Sequence, residues 1–264
     1  MARVCLHDPD VIGHYLQRQT ALNLYKLGDL DAFFWPHTQW YAWCVDGQIQ
    51  AVALLYTGDA IPVLLSMEDS DAALQLLRSL VPLLPRRFYA HLRPGQEVCF
   101  PFAGQGGDVY LRMVQTQVKP VSFQSWLEAY PEISPRILTS QDTAALEAFY
   151  ARHYPQNWFN ARMLETGAYV ALETENAELR AVAGIHVLSR PHQLAALGNI
   201  AVHQDCRGKG LGQWATAFLC EHLRQHFAIQ TLGLNVHTQN QKAQSCYERL
   251  GFCGVATYQE WTFE

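Results

Sequence analysis

The chain has 264 residues, 49% of them apolar, and a net charge of −5, enough for the cores of one large domain or two ordinary ones and of the wrong sign for a general nucleic-acid binder. Its seven cysteines are odd in number and form no C-x-x-C pair, so neither a zinc site nor a disulfide framework is indicated, and a reducing cytoplasm is the expected compartment. No run of about 18 apolar residues and no apolar N-terminal h-region occurs, so neither a membrane span nor export by that route is expected.

In chain order, Asp8-Pro9 supplies a cap and an N1 proline for a first helix with Val11, Ile12, Tyr15, Leu16 and Leu22 at helical spacing, and a shorter helical piece follows at 27–35. Strands at 40–45 and 48–56 flank Asp46-Gly47, the strongest short hairpin signal in the sequence. Next come a strand at 61–67, a helix opened by Ser70 and running to Leu80, and strands at 87–91 and 109–114. After Lys119-Pro120 a short linking helix, 123–130, precedes a strand at 136–138 and a helix running to His153, with Thr139 and Asp142 at capping-box spacing. A second helix is expected at 158–166, then strands at 168–173, 179–189 and 194–202, a helix at 213–224, a strand at 231–236, a helix at 240–250 and a last strand at 257–263. The first half repeats much of this order, which suggests an internal duplication, with domains at 1–118 and 133–264 joined by a linker at 119–132.

The chemistry concentrates in two blocks. Arg207-Gly208-Lys209-Gly210-Leu211-Gly212 lies between an apolar strand and a helix, where free backbone N–H groups and the positive end of the helix dipole favour phosphate, and glycine lets the backbone approach it. The spacing is not that of a Walker A loop. A dinucleotide fingerprint is formally met from Gly210 to Ala215, but Asn235-Val236-His237 ends the next strand without the carboxylate such a site needs. In the second block Asn240 can N-cap a helix whose inner face is Ala243, Cys246, Tyr247 and Leu250, ended by Gly251. A phenol at Tyr247 has a pKa near enough to that of a thiol to protonate a leaving thiolate. The corresponding junction of the first half, Ser66-Met67-Glu68-Asp69-Ser70-Asp71, has three carboxylates and no glycine, and would repel phosphate.

These blocks resemble the GNAT superfamily of N-acetyltransferases, in its patterns Arg/Gln-x-x-Gly-x-Gly/Ala and strand-Asn-x-x-Ala-x-x-x-Tyr-x-x-x-Gly-Phe, over about residues 133–264. The resemblance implies an α/β (α+β) fold, a central mixed and largely antiparallel sheet flanked by helices, with the first half a degenerate GNAT-like domain lacking the cofactor loop. This plan is similar to that of bacterial GNATs related to glycine N-acyltransferase. It further implies acetyl-CoA as co-substrate without a metal, its diphosphate held by Arg207, Gly208, Lys209, Gly210, Leu211 and Gly212, and its pantetheine lying along the main chain of Ile200, Ala201 and Val202. Asn240, Ala243 and Tyr247 would face the cofactor, the N–H groups of 200–202 would hold the oxyanion, and Tyr247 would be the acid when an amine attacks the thioester directly. The acceptor is expected to be a small-molecule amine or amino acid, with no nucleic-acid or membrane partner, and the protein a monomer or homodimer. The family's usual carboxylate base is missing from Leu194 to Asn199; His186, His203, Glu173 or a water chain could replace it, and Tyr154 to Phe159 could form an acceptor wall. That missing carboxylate favours one alternative, a non-catalytic acyl-CoA sensor; a nicotinamide-dependent oxidoreductase ranks third.

Overall fold

A computed structural model describes residues 1–264. The elements are β1 (Ala2–Leu6), α1 (Pro9–Leu16), α2 (Thr20–Gly28), β2 (Thr38–Val45), β3 (Gln48–Tyr56), β4 (Val63–Ser66), α3 (Asp71–Leu80), β5 (Phe88–Leu92), β6 (Gly104–Gln115), α4 (Phe123–Ala129), β7 (Ile133–Ile137), α5 (Thr143–His153), β8 (Val170–Thr174), β9 (Leu179–Ser189), β10 (Leu194–Val202), α6 (Leu211–Phe227), β11 (Thr231–His237), α7 (Gln241–Arg249) and β12 (Phe252–Phe263). They form two compact units: Met1–Arg112 with Val236–Gln239 and Gly254–Glu264, and Met113–Asn235 with Asn240–Cys253. The sequence division was consecutive, and the packing differs from it at the C-terminus. Most of β12 belongs to the first unit, where it pairs antiparallel with β5 from Gln259↔Leu92 to Phe263↔Phe88. A strand joins the edge whose register and side chains suit it, and that choice is not local in sequence.

In the first unit the strands lie in the order β1-β2-β3-β4-β5-β12-β6, and β4 and β5 run parallel. Asp46 and Gly47 both take positive φ, 50° and 77°, which gives the expected two-residue hairpin turn between β2 and β3. Ala73, Leu76, Leu77 and Leu80 of α3 are buried in a core with Ala51, Ala53, Leu55 and Phe88. The Asp8 carboxylate caps α1 by accepting from the N–H groups of Asp10 and Val11. Two elements differ from expectation. The Asn23 side-chain amide donates to Leu16 O at 3.0 Å, and helix resumes as α2 rather than at 27–35. Strand β1, too short and mixed to show a period, pairs with β2 from Ala2↔Cys44 to Leu6↔Trp40.

The second unit repeats the plan. Strands β7, β8, β9 and β10 pair antiparallel in sequence order, α6 crosses back over β8, β9 and β10, and β11 joins β10 in parallel. In each unit, then, a helix links the fourth strand to a parallel fifth, and the fold is mixed α/β with mostly antiparallel sheets, as the sequence indicated. The capping box at Thr139 and Asp142 forms and leads into α5. The helix expected at 158–166 is only a 3₁₀ turn over Ala161–Thr166. Here Asn157 Oδ1 accepts from Phe159 N–H at 2.9 Å, a local bond that competes with helix, and Asn160 Oδ1 accepts from Arg162 N–H at 3.1 Å as the N-cap of the 3₁₀ turn.

Candidate active site

The site begins where a strand loses its partner. Strands β10 and β11 pair only from Leu194↔Thr231 to Leu197↔Leu234, so β10 is open on that side from Gly198 to Val202. Over the same stretch β10 bulges against β9, between Gly198 and Ala201. Asn199 sits in the bulge at φ 51°, a left-handed conformation that asparagine tolerates better than most residues. Its side chain accepts from Trp158 N–H at 3.0 Å and donates to Tyr169 OH at 3.0 Å, and its carbonyl accepts from Tyr150 OH at 2.6 Å. Pairing resumes at Ala201↔Val182, and His203 N–H donates to Arg180 O. Because successive strand residues direct N–H to opposite sides, Val202 N–H faces away from β9, into the opening.

Beyond β10 the chain turns through Gly208 and Gly210, at φ 79° and 83°, into the 17-residue helix α6. Gly210 is the N-cap and gives no side-chain cap; the first bond of the helix runs from Trp214 N–H to Gly210 O at 3.0 Å. The backbone N–H groups of Gly208, Lys209, Gly210, Leu211, Gly212 and Gln213 therefore carry no partner within the protein. A run of open donors at a helix N-terminus, with positive φ at Gly208 and Gly210, is the kind of backbone arrangement that favours anions. Lys209 is exposed beside them. Arg207 behaves differently from a free phosphate ligand: its guanidinium donates to His153 O at 2.7 Å and to Val202 O at 3.3 Å, so the side chain braces the loop against β10.

The Asn240 carboxamide caps α7 by accepting from Ala243 N–H at 3.1 Å. Tyr247 is buried on that helix, its ring 6.2 Å from Phe252 in edge-on geometry, and Gly251 ends the helix at φ 89°. Burial pushes the Cys246 thiol up to about 11 and the Cys220 thiol up to about 12, so neither offers thiolate at neutral pH.

Among the substitutes for a base, Glu173 accepts from Arg136 Nε at 2.7 Å, and the same guanidinium pairs with both oxygens of Asp142, at 2.7 and 3.0 Å. That carboxylate is thus engaged in a structural ion pair. The His186 ring lies against Gly198, where any Cβ would overlap it, and burial brings its imidazolium down to about 4, leaving the ring neutral at pH 7. The His203 ring lies 4.1 Å from that of His153 at a 44° tilt and accepts from Asp205 N–H, so it shapes the root of the glycine loop. In the expected acceptor wall, Phe159 packs between Tyr150 and Tyr169, at 5.5 and 5.6 Å, and Trp158 N–H binds Asn199; this part of the segment supports the bulge. Asn199, Tyr150 and Tyr169 escaped the sequence reading. Their one signal was Gly198-Asn199, two poor strand formers inside an apolar strand.

Residues 125–252 match the Acetyltransferase (GNAT) family, and the chain carries a domain of that family. The fold is shared along nearly the whole chain with a Drosophila protein (TM-score 0.71, 14% identity, 99% of this chain and 97% of that one). It is shared likewise with a GNAT-family acetyltransferase from Colwellia psychrerythraea (0.57, 12%, 100% of both) and a tandem GNAT protein from the clavulanic acid biosynthesis pathway (0.57, 14%, 99% and 97%). At such identities the likeness is one of fold, and the tandem protein agrees with the two repeated units. In sequence the chain is 37% identical over 71 residues to the 5-NmdU N-acetyltransferase of Pseudomonas phage PaMx11, a stretch amounting to 24% of this chain and 48% of that protein. The chain thus spans about half the length of that relative. These relatives lend no support to the narrower likeness to glycine N-acyltransferase. No helix is long and apolar enough to cross a membrane.

Proposed function

We propose that the chain transfers an acyl group, acetyl foremost, from acetyl-CoA to the amine of a small molecule or amino acid by direct attack. The observation that carries this reading is the run of six open N–H groups from Gly208 to Gln213, adjoining the unpaired edge of β10. In it the loop residues Arg207 to Gly212 hold the diphosphate, Arg207 by bracing the loop and the others by main chain. Pantetheine extends β10 by pairing with the main chain of Ile200 to Val202. The neutral amine forms its bond to the thioester carbonyl carbon, the outward N–H of Val202 in the 200–202 stretch stabilises the oxygen as it becomes anionic, and the C–S bond breaks as Tyr247 gives its proton to the sulfur. Asn240 and Ala243 set the start of the helix that carries Tyr247. The proton lost by the amine passes to water, since burial makes the His186 imidazole a weak base. The phage relative's name, an N-acetyltransferase, supports acetyl as the group and nitrogen as its acceptor. The first domain, 1–118, lacks the glycine loop, and 119–132 links it to the catalytic domain, proposed over 133–264 with most of β12 packed in the first unit; a cytoplasmic monomer or homodimer fits this role.

The absence of a carboxylate from Leu194 to Asn199 favours a second reading, an acyl-CoA sensor without turnover. Calorimetric titration with acetyl-CoA, and in parallel with NADH, on wild type and Gly210→Trp, followed by thiol release across a panel of amines, separates the possibilities. Saturable acetyl-CoA binding lost in the variant, with thiol release for some amine, is the expected result. Binding without release for any amine identifies the sensor; no binding at all refutes the reading of the loop.

A further inference from the structure

Helix α4 stands beside the phosphate loop. Tyr130, at its C-terminal end, donates its hydroxyl to Lys209 O at 2.7 Å. One turn earlier, the half-buried Trp126 lays its indole parallel to that of Trp214 on α6, with centroids 5.9 Å apart and planes at 12°, and Phe123 meets Phe218 edge-on at 6.5 Å. This stacking sets the Trp126 indole nitrogen beside the loop: Nε1 lies 3.7 Å from where a Cβ on Gly210 would stand. No group of the protein accepts from it. It is thus a further open donor beside the six of the loop, on an element otherwise taken for a linker.

We propose that α4 is a wall of the diphosphate site. Trp126 contributes a side-chain N–H to a phosphate oxygen held by the loop, and Tyr130 is a positioning residue that, through Lys209 O, keeps the positive-φ backbone in its donor geometry. This rests on the acyl-CoA reading above and adds a binding group to it.

The test compares CoA with pantetheine, which lacks the diphosphate, by calorimetry on the intact chain, with thermal unfolding as a check on folding. Trp126→Phe keeps the stacking and removes the donor. Its Kd for CoA should rise about tenfold, the usual scale for a hydrogen bond to a charged group, while its Kd for pantetheine stays at the wild-type value. Tyr130→Phe should raise the Kd for CoA by roughly threefold, again sparing pantetheine. An unchanged CoA affinity in Trp126→Phe, or equal weakening of CoA and pantetheine, overturns the proposal. Should Trp126→Phe fail to fold, Tyr130→Phe decides by the same comparison. Failure of the wild type to bind CoA refutes instead the reading on which this one rests.

Discussion

If the bulge at Asn199 is what opens the edge of β10, replacing that residue should reverse the normal ranking of alanine and glycine in a strand. Asn199→Gly keeps the carbonyl that Tyr150 uses and tolerates φ 51°, but loses the acceptor for Trp158 N–H and the donor to Tyr169 OH. Tyr169 OH still donates to Ile185 O, so the main loss is the partner of Trp158 N–H, about 1–3 kcal/mol for a polar group left without one. Asn199→Ala has the same loss and adds about 1 kcal/mol for a left-handed residue bearing a Cβ. Alanine should therefore be worse by about 1 kcal/mol, a total of about 2–4 kcal/mol and a fall in Tm of roughly 6–12 °C. In a regular strand the order is opposite, glycine being worse by roughly 0.5–1 kcal/mol. Denaturant unfolding of both variants gives the ranking, and CoA titration should show the weaker binding in alanine. An Asn199→Ala variant as stable as Asn199→Gly would refute the argument that the bulge is held by backbone conformation.

Tyr247→Phe should lower kcat about a hundredfold with the Kd for CoA unchanged, the usual scale for a lost general acid; a matching loss of CoA affinity would make Tyr247 a packing residue. Arg136 holds the Asp142 carboxyl down at about 2, so its contribution is full above the ordinary 3.8 and lost as pH falls through about 2. Asp142→Asn should cost about 1–2 kcal/mol at pH 7, allowing for solvent screening, and chemical denaturation from pH 5 to 2.5 should show a shallower loss than in wild type. In the first unit, burial raises the Glu260 carboxyl above its ordinary 4.5 although Tyr258 OH donates to it at 2.6 Å. The folded protein thus prefers its protonated form, stability falls as pH rises above 4.5, and Glu260→Gln should flatten that part of the profile; equal slopes for the two proteins would contradict it.

What could be read from the sequence was what is local. The Asn240 cap, the Gly208-Lys209-Gly210 turn, the Asp46-Gly47 hairpin and the Thr139/Asp142 box each lie within a few residues, and each forms. The same holds for the apolar periods of α3 and α6. The support of the site is not local. Asn199 meets partners 30, 41 and 49 residues away, and Tyr130 reaches the loop across 79, so no window of sequence contains both ends of these bonds. The placement of β12 beside β5 joins residues more than 160 apart, for instance Phe88 and Phe263. Local competition also misled: a helix was expected at 158–166, but the Asn157 side chain takes the Phe159 N–H, and Asn160 caps only a 3₁₀ turn.

The duplicated plan gives the glycine loop its own internal control. In the first unit the junction after β4 leads to a helix capped in the ordinary way, with Ser70 Oγ accepting from Ala73 N–H at 3.2 Å. Just before it, Glu68 turns inward. Its carboxylate accepts from the Lys26 ammonium at 3.0 Å, from Val52 N–H at 3.0 Å and from Tyr15 OH at 3.2 Å. Lys26 is fully buried, and the burial that lowers its pKa is opposed by this one carboxylate. The anion at that junction is therefore part of the chain, and the donors around it are satisfied on folding. After β10 the corresponding junction has no capping side chain at Gly210, its one carboxylate, Asp205, is exposed beside His203, and the loop's donors stay open. Unsatisfied helix-terminal N–H groups disfavour the free protein, and a serine or aspartate at the N-cap would relieve them by about 1 kcal/mol. Two junctions of the same topology thus differ: the first turns its carboxylate inward to a buried ammonium and caps its helix with Ser70, and the second leaves a run of N–H groups open.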